Sequence, residues 1–150
     1  MIPKRARPLL AVMAGLSLAI VGCTAGGGGA TTVAVTLQEW AVLPAADSAP
    51  AGDVTFDVTN DGPEDIHEFV VIKTDLDAAD LPTDADGVVD EAGGGMEVID
   101  EIEDIPVGES QSLTVTLDAG SYVLLCNIWD EDEGEAHYRM GMRTAFTVTD

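Results

Sequence analysis

Two histidines, a cysteine and a methionine are the residues of this chain whose types could together do chemistry. Among its 150 residues the chain has two His and two Cys. His67 precedes an apolar run, Cys126 ends another, and His137 and Met142 lie just before the last one. A thiolate, two imidazoles and a weak axial thioether are the donors of a blue-copper site, where the soft thiolate suits Cu(I) and imidazole suits both oxidation states. If folding brings the four side chains together, the sequence predicts one-electron transfer at copper.

Each of the four residues also has an ordinary interpretation, which stays open at this point. A His at a strand end is often a hydrogen-bonded surface residue, a lone buried Cys behaves as a small apolar side chain, and Met can simply fill the core. The spacing favours a metal site, because side chains two apart on a strand share a face. His67 then lies with Phe69, and Cys126 lies with Leu124. If both faces look into the core, the His and Cys side chains lie at adjacent strand ends.

The first 22 residues predict a secretory signal peptide. Three basic residues are followed by an apolar run over residues 9–22 and then by Cys23, which is the layout of such a signal. About 14 apolar residues are too few for the roughly 20 that span a bilayer. The segment Ile20-Val21-Gly22-Cys23 resembles a bacterial lipobox, which implies that Cys23 is lipidated and becomes the mature N-terminus. We therefore expect a chain outside the cytoplasm, in the periplasm or on the cell surface, anchored to the cell membrane by lipid.

Residues 23–32 predict a flexible Gly-rich linker, and residues 33–150 are enough for one domain with a single core. If Cys23 carries lipid, Cys126 has no disulfide partner. An unpaired thiol outside the cytoplasm is unusual. Cys126 is then an inert buried thiol, a link to another chain or a metal-bound thiolate.

The charge of the chain excludes one class of partner. The sequence has six Lys and Arg against 28 Asp and Glu, a net charge of −22. Removal of residues 1–22 leaves three basic residues against the same 28 acids, a mature charge of −25. So large a negative charge repels the phosphates of nucleic acid. It favours a partner with a basic surface, although it is equally typical of solubility in a saline habitat.

Short alternating runs broken by Gly, Pro, Asn and Asp predict an all-β fold. Apolar residues alternate with polar ones in several segments, and "FVVI" at 69–72 is continuously apolar, as in a strand covered on both faces. Some seven or eight strands with little helical pattern indicate a Greek-key β-sandwich. The exception is one long acidic segment, residues 75–104, which predicts a loop with one helical turn near residues 77–81.

Several segments resemble the cupredoxins, the small bacterial blue-copper domains of the plastocyanin and sulfocyanin type. They are "AGDVTFDVTNDGPEDIHEFVVIKTDL", "GSYVLLCNI" and "HYRMGMRTAFTV", in the order in which the family has them. The resemblance implies that His67, Cys126 and His137 are equatorial copper ligands. By the family spacing from the second His, Met142 is the axial ligand and Met140 its less favoured rival.

The chain departs from the family pattern beside two of these ligands. Ten residues, 127–136, separate Cys126 from His137, whereas the family loop is much shorter. Extra loop length costs little entropy, and the acids of this loop belong in water, so we expect it to bulge outward. Glu68 stands where many relatives have an amide, and an ionised Glu cannot donate a hydrogen bond. Trp129 and Ile128 are expected to supply an apolar patch beside an exposed edge of the second His.

These observations lead to a ranked set of functions. The first is a lipid-anchored, monomeric blue-copper protein that carries single electrons at the outer face of the membrane to a basic partner, such as a c-type cytochrome or an oxidase. The second is an extracytoplasmic copper chaperone or buffer, and the third is a metal-free β-sandwich surface lipoprotein. We expect no enzyme activity, because two His are too few for the further copper centres of copper oxidases.

Overall fold

Residues 29–150 form two β-sheets that pack face to face. The structure is a computed structural model, and residues 29–150 are the ones that it describes. Cys23 and the predicted signal peptide lie outside them. In this part of the chain no helix is long and apolar enough to cross a membrane. The elements are β1 (Thr31–Gln38), β2 (Ala41–Pro44), β3 (Ser48–Pro50), β4 (Gly52–Asn60), β5 (His67–Thr74), β6 (Met96–Ile105), β7 (Ser110–Leu117), β8 (Gly120–Leu125), β9 (Trp129–Asp130), β10 (Glu135–Ala136), α1 (His137–Met140) and β11 (Arg143–Thr149).

The first sheet has the strand order β2-β1-β4-β7, the second has the order β3-β11-β8-β5-β6, and β9 and β10 form a separate hairpin. The pairs β1/β4 and β3/β11 are parallel, whereas the other pairs are antiparallel. The predicted all-β sandwich is confirmed. The described residues contain more than the seven or eight predicted strands, because four of them have only two to four residues and show no alternating run. β1 begins at Thr31, inside the segment that we predicted as linker.

The inner faces of the two sheets form the main core. In β4 the buried residues are Val54, Phe56 and Val58, and they alternate with more exposed ones. Phe56 lies at the centre, because its ring contacts those of Phe69 and Phe146 at centroid distances of 5.3 and 5.5 Å. Phe69 belongs to β5 and Phe146 to β11, so this aromatic group joins the first sheet to the second.

β5 is covered on both faces, as its continuously apolar sequence predicts. Phe69 and Val71 belong to the main core. Val70 and Ile72 point the other way, into a second apolar cluster that includes Leu81. Residues 75–95, which we call the acidic loop, supply Leu81 and therefore cover the outer face of the second sheet.

The prediction of one loop over residues 75–104 is wrong in its second part. Residues from Met96 onward form β6, which pairs with β5 along the edge of the sheet. Much of this strand is exposed and acidic, so its sequence shows no clean alternation. The predicted helical turn at residues 77–81 is also wrong. The Asp80 N–H donates to the Asp77 carbonyl at 2.9 Å and the Ala79 N–H to Asp77 Oδ1 at 2.9 Å, which makes a simple turn.

Candidate metal centre

His67 is the first residue of β5, and the loop before it is held by a buried amide. Asn60 Nδ2 donates to the carbonyls of Asp65 and Ile105 at 2.8 Å each. Asn60 Oδ1 accepts the Gly62 N–H at 2.8 Å. The side-chain oxygen and both N–H groups of the amide are therefore used, as burial requires. This clamp fixes where the chain enters β5 and thus where the first imidazole lies.

Cys126 follows the last residue of β8 and lies against the start of β11. Its N–H donates to the Met142 carbonyl at 3.0 Å, which extends the ladder between the two strands by one step. Both side chains are fully buried in the main core. Met140, the rival axial residue, is 40% exposed. Met142 lies with the buried residues of β11, as the alternation along the strand predicts, whereas its role as a ligand stays a prediction.

The ten residues between Cys126 and His137 form the β9/β10 hairpin. The strands pair through Trp129 with Ala136, and the His137 N–H then donates to the Ile128 carbonyl at 2.9 Å. Residues 131–134 at the tip are exposed, which confirms the expectation that this loop bulges outward. The long spacing is thus closed by local backbone pairing, which returns the second His to the position beside Cys126.

Two imidazoles and one thiol converge in a buried cluster. Nδ1 of His67 lies 3.3 Å from Nδ1 of His137, and Cys126 Sγ lies 3.4 Å from Nδ1 of His137 and 4.0 Å from Nδ1 of His67. The three residues are at most 1% exposed. A point equidistant from atoms at the corners of a triangle with these three sides lies about 2.1 Å from each atom, close to the roughly 2.0–2.3 Å of nitrogen and thiolate bonds to a metal such as zinc. The donors therefore fit one metal ion.

The electrostatics of the cluster also fit a bound cation. Burial lowers the pKa of His67 to about 4, with the nearby His137 adding to the effect and Glu39 opposing it. Burial likewise lowers the pKa of His137, against the opposing charges of Asp65 and Asp130. Both imidazoles are consequently neutral at pH 7, which leaves a nitrogen lone pair free for a metal.

The thiol of Cys126 requires a positive partner to ionise. Burial raises its pKa to about 12, although backbone N–H groups of Glu68 and Ile128 favour the thiolate. The Glu68 N–H donates to Sγ at 3.3 Å. A metal ion at the centre of the cluster supplies the missing charge, since a coordinating thiol is deprotonated.

Comparisons with solved structures agree with this fold. A crystal structure of dithionite-reduced auracyanin from Roseiflexus castenholzii is similar with a TM-score of 0.58 and 25% identity, over 82% of this chain and 100% of that one. The chain therefore has the cupredoxin fold. Auracyanin A, a "blue" copper protein from Chloroflexus aurantiacus (TM-score 0.54, 18% identity, 81% and 100% covered), and an azurin from Methylomonas sp. strain J (0.53, 17%, 81% and 100%) share the fold. No protein-family model matches the chain, and the search of curated proteins found no match.

The turn between β1 and β2 covers both imidazoles, and no feature of the sequence predicted this. Glu39 Oε1 lies 3.7 Å from His67 Nε2, and the Trp40 ring meets the His137 ring edge-on at 5.0 Å between centroids. Burial alone would raise the pKa of Glu39, but N–H donors from Asp65 and Glu64 outweigh it and lower the pKa. Glu39 therefore stays anionic beside the first imidazole. No pattern in "LQEW" indicates such a role.

Two further residues link the acidic loop to the ligands. Asn127 follows Cys126, and its side chain bonds to both backbone groups of Val89 and to Glu91. Tyr138 follows His137, and its hydroxyl donates to the Ala78 carbonyl at 2.8 Å and accepts the Leu81 N–H at 3.0 Å. The loop therefore braces the residue after each of these ligands. Only the position of an Asn and a Tyr directly after ligands could have suggested this.

Glu68 acts as an acceptor in place of the expected amide donor. Its Oε1 accepts the Asn127 N–H at 2.8 Å. Its backbone N–H also donates to Cys126 Sγ. Glu68 therefore uses both its side chain and its backbone to join the segment of His67 to that of Cys126. The departure from the family pattern thus preserves a connection between two ligand-bearing strands.

The predicted exposed edge of the second His is wrong. His137 is 1% exposed, whereas Trp129 is 37% exposed and Ile128 is half-buried. The β9/β10 hairpin and the turn at Trp40 together cover the imidazole. Trp129 and Ile128 instead line a cleft of about 480 Å³ that His137 also lines.

Proposed function

We propose that this chain binds one copper ion through His67, Cys126 and His137, with Met142 as the axial ligand, and carries single electrons. The proposal rests on one observation: Cys126 Sγ and the Nδ1 atoms of His67 and His137 lie within 4.0 Å of one another in a buried site. Copper in such a ligand set alternates between Cu(I) and Cu(II), which supplies one-electron transfer. The fold shared with the auracyanins supports the same function.

The residues of the site each contribute to electron transfer without changing a substrate. The neutral imidazoles offer their Nδ1 lone pairs, and the Glu68 N–H steadies the sulfur. The Asn60 and Asn127 clamps keep the ligand segments in place, so little has to rearrange when the charge of the site changes. The surrounding core excludes water. We propose no enzymatic reaction, because these residues serve to hold the copper ion and to position its ligands.

We propose that electrons enter and leave the copper site through the cleft beside His137. Trp129 and Ile66 are exposed apolar side chains that line this cleft together with acids. Apolar contact allows close approach, while the surrounding negative charge attracts a partner with a basic surface. A c-type cytochrome or an oxidase domain with such a surface fits this requirement. The acids also stabilise Cu(II) over Cu(I) and so lower the reduction potential.

Lipid anchoring is the part of the proposal that depends on residues outside the described part of the chain. The lipobox-like segment ending at Cys23 supports a thioether-linked lipid, and residues 24–30 would separate the anchor from β1. The domain would then work outside the cytoplasm at the membrane surface. Mass spectrometry of the mature protein tests this, with a lipid mass on Cys23 expected and an unmodified cleaved terminus against it.

The acidic cleft favours a second function, an extracytoplasmic copper chaperone or buffer. Carboxylates at the surface gather Cu(II), and such a protein should release copper readily to a chelating acceptor and exchange electrons slowly. An electron carrier should instead retain its copper in the presence of the acceptor and exchange electrons rapidly. A metal-free β-sandwich lipoprotein would show no colour and gain no thermal stability with Cu(II).

The decisive test of the proposed function is spectroscopic. The Cu(II)-loaded protein should show an intense visible absorption that requires a sulfur–copper bond, and Cys126→Ser should abolish it. Met142→Leu should shift the absorption and electron-resonance spectra, whereas the matched variant Met140→Leu should leave them as in the parent. A Cys126→Ser spectrum identical to that of the parent would contradict the proposal.

A further inference from the structure

A second group of metal-binding atoms lies on the outer side of His137. One oxygen of Asp65, one oxygen of Asp130 and a ring nitrogen of His137 lie within 4.8 Å of one another. All three residues line the cleft of about 480 Å³ next to the β9/β10 hairpin. The two carboxylates are partly buried, so this group is more enclosed than the exposed acids at the hairpin tip.

The imidazole of His137 supplies independent evidence that the cleft takes a ligand. Its Nδ1 faces Cys126 and His67 at 3.4 and 3.3 Å. Its Nε2 is buried and has no hydrogen-bond partner among the described residues. A buried nitrogen without a partner is costly. Because Nδ1 is directed inward, Nε2 is the nitrogen left for the two carboxylates.

Hydrogen bonds hold the carboxylate of Asp130 and the backbone of Asp65 in place. Asp130 Oδ1 accepts the N–H groups of Asp132 and Glu133 at 2.7 and 2.9 Å. The backbone of Asp65 is fixed on both sides, since its N–H donates to Glu39 Oε1 at 2.7 Å and its carbonyl accepts Asn60 Nδ2 at 2.8 Å. The Asp130 carboxylate and the backbone at Asp65 therefore need little rearrangement to meet a cation, which reduces the entropy cost of binding.

We infer that Asp65, Asp130 and Nε2 of His137 form an outer cation site that captures Cu(II) before it reaches the cluster of Cys126, His67 and His137. This inference rests on the proposed function, since it concerns how that cluster is loaded. Carboxylate oxygens and an imidazole nitrogen suit Cu(II), whereas the thiolate-containing inner cluster also suits Cu(I). The change of donors thus favours inward passage once Cys126 gives up its thiol proton to solvent.

The shared imidazole makes the outer site transient. A neutral imidazole has one nitrogen with a lone pair and one that carries a proton. His137 can therefore serve the outer site through Nε2 or the inner cluster through Nδ1, but not both in its neutral form. When Nδ1 becomes a ligand, Nε2–H turns into a donor to the same carboxylates, which then orient the ring as second-layer partners commonly do.

The kinetics of copper uptake test this inference. Purified apo protein is mixed rapidly with Cu(II), and growth of the thiolate–copper absorption is followed at increasing copper concentration. The parent rate should level off, because capture precedes transfer. Asp65→Asn with Asp130→Asn should slow uptake by about 10- to 100-fold at low copper. The control pair Glu131→Gln with Asp132→Asn changes the net charge by the same amount, at the tip of the hairpin that carries Asp130, and should alter the rate by less than about twofold.

Equilibrium binding separates the outer site from the proposed function. In a Cys126→Ser background, calorimetric titration with Cu(II) should show an affinity about 10- to 100-fold lower when Asp65 and Asp130 are changed to Asn, but not with the control pair. Circular dichroism and thermal unfolding confirm that each variant is folded. Equal affinities, or parental uptake by a variant that turns blue, would overturn the outer site and leave the copper function intact. If the parent never turns blue, the proposed function fails, while the titration still decides the outer site.

Discussion

Replacing Glu68 by Gln should remove a buried carboxyl group that opposes folding at neutral pH. Burial raises the pKa of Glu68 to about 7, with the neighbouring acids Glu101, Glu91 and Glu103 adding to the rise and the Asn127 N–H opposing it. In an unfolded chain the pKa is the ordinary 4.5. At about 1.4 kcal/mol per pKa unit, the full rise to about 7 corresponds to about 3.5 kcal/mol.

The direction of the pH dependence of stability follows from the direction of the pKa shift of Glu68. A carboxyl group with a raised folded-state pKa favours folding most below pH 4.5, where it is protonated in both states, and this contribution is lost as the pH rises through 7. Gln keeps an oxygen that can accept the Asn127 N–H but never ionises. The free energy of unfolding of Glu68→Gln, relative to the parent, should therefore increase by about 3 kcal/mol between pH 4.5 and pH 8.

Chemical denaturation of the metal-free protein at several pH values measures this difference. The exposed acid Glu131 provides the matched control, because Glu131→Gln removes the same group from the hairpin tip and should change the stability by less than about 1 kcal/mol. Groups remote from Glu68 titrate alike in parent and variant and cancel, so the difference reports Glu68 together with its coupling to the neighbouring acids. A difference that stays flat from pH 4.5 to pH 8 would refute the placement of Glu68 in a buried, anion-rich environment.

Three further substitutions test other parts of the structure by chemical denaturation. Tyr138→Phe leaves two backbone groups of the acidic loop without partners and should cost about 2–4 kcal/mol; a cost below about 1 kcal/mol would mean that the loop is not held there. Phe56→Ala opens a cavity at the centre of the core and should cost about 3–5 kcal/mol. Gly141 has φ +128° and a Cβ there would lie 3.0 Å from the Trp40 carbonyl oxygen, so Gly141→Ala should cost about 1–3 kcal/mol. The control Gly94→Ala, which meets open space, should change stability by less than about 0.5 kcal/mol, and equal costs at both glycines would contradict this local geometry.

The fold class and the convergence of His67, Cys126 and His137 could be predicted because their signals are local in the sequence. Alternating runs identify the long strands, and parity places His67 and Cys126 on the core face. The rare residue types then restrict the donor set, since the chain has only two His. Burial of Met142 follows in the same way from the parity of β11. These predictions need only the period of a strand and the chemistry of soft ligands.

The covering of the site could not be predicted, because it depends on contacts between distant segments. The turn at Glu39 and Trp40 meets both imidazoles only after β1 is paired in the first sheet. The braces from Asn127 and Tyr138 depend on where the acidic loop crosses the second sheet. Acidic composition suggested that residues 75–104 were all solvated loop, yet an edge strand tolerates acids on its exposed positions. β6 was missed for that reason.

The central claim is that one copper ion is bound between Cys126, His67 and His137. Anomalous diffraction at the copper absorption edge, on crystals of the copper-loaded protein, tests it most directly. One strong anomalous peak is expected within bonding distance of Sγ and of both Nδ1 atoms. The claim would be contradicted if a fully loaded crystal showed its anomalous peak elsewhere, such as on the acidic loop, and left the inner cluster empty.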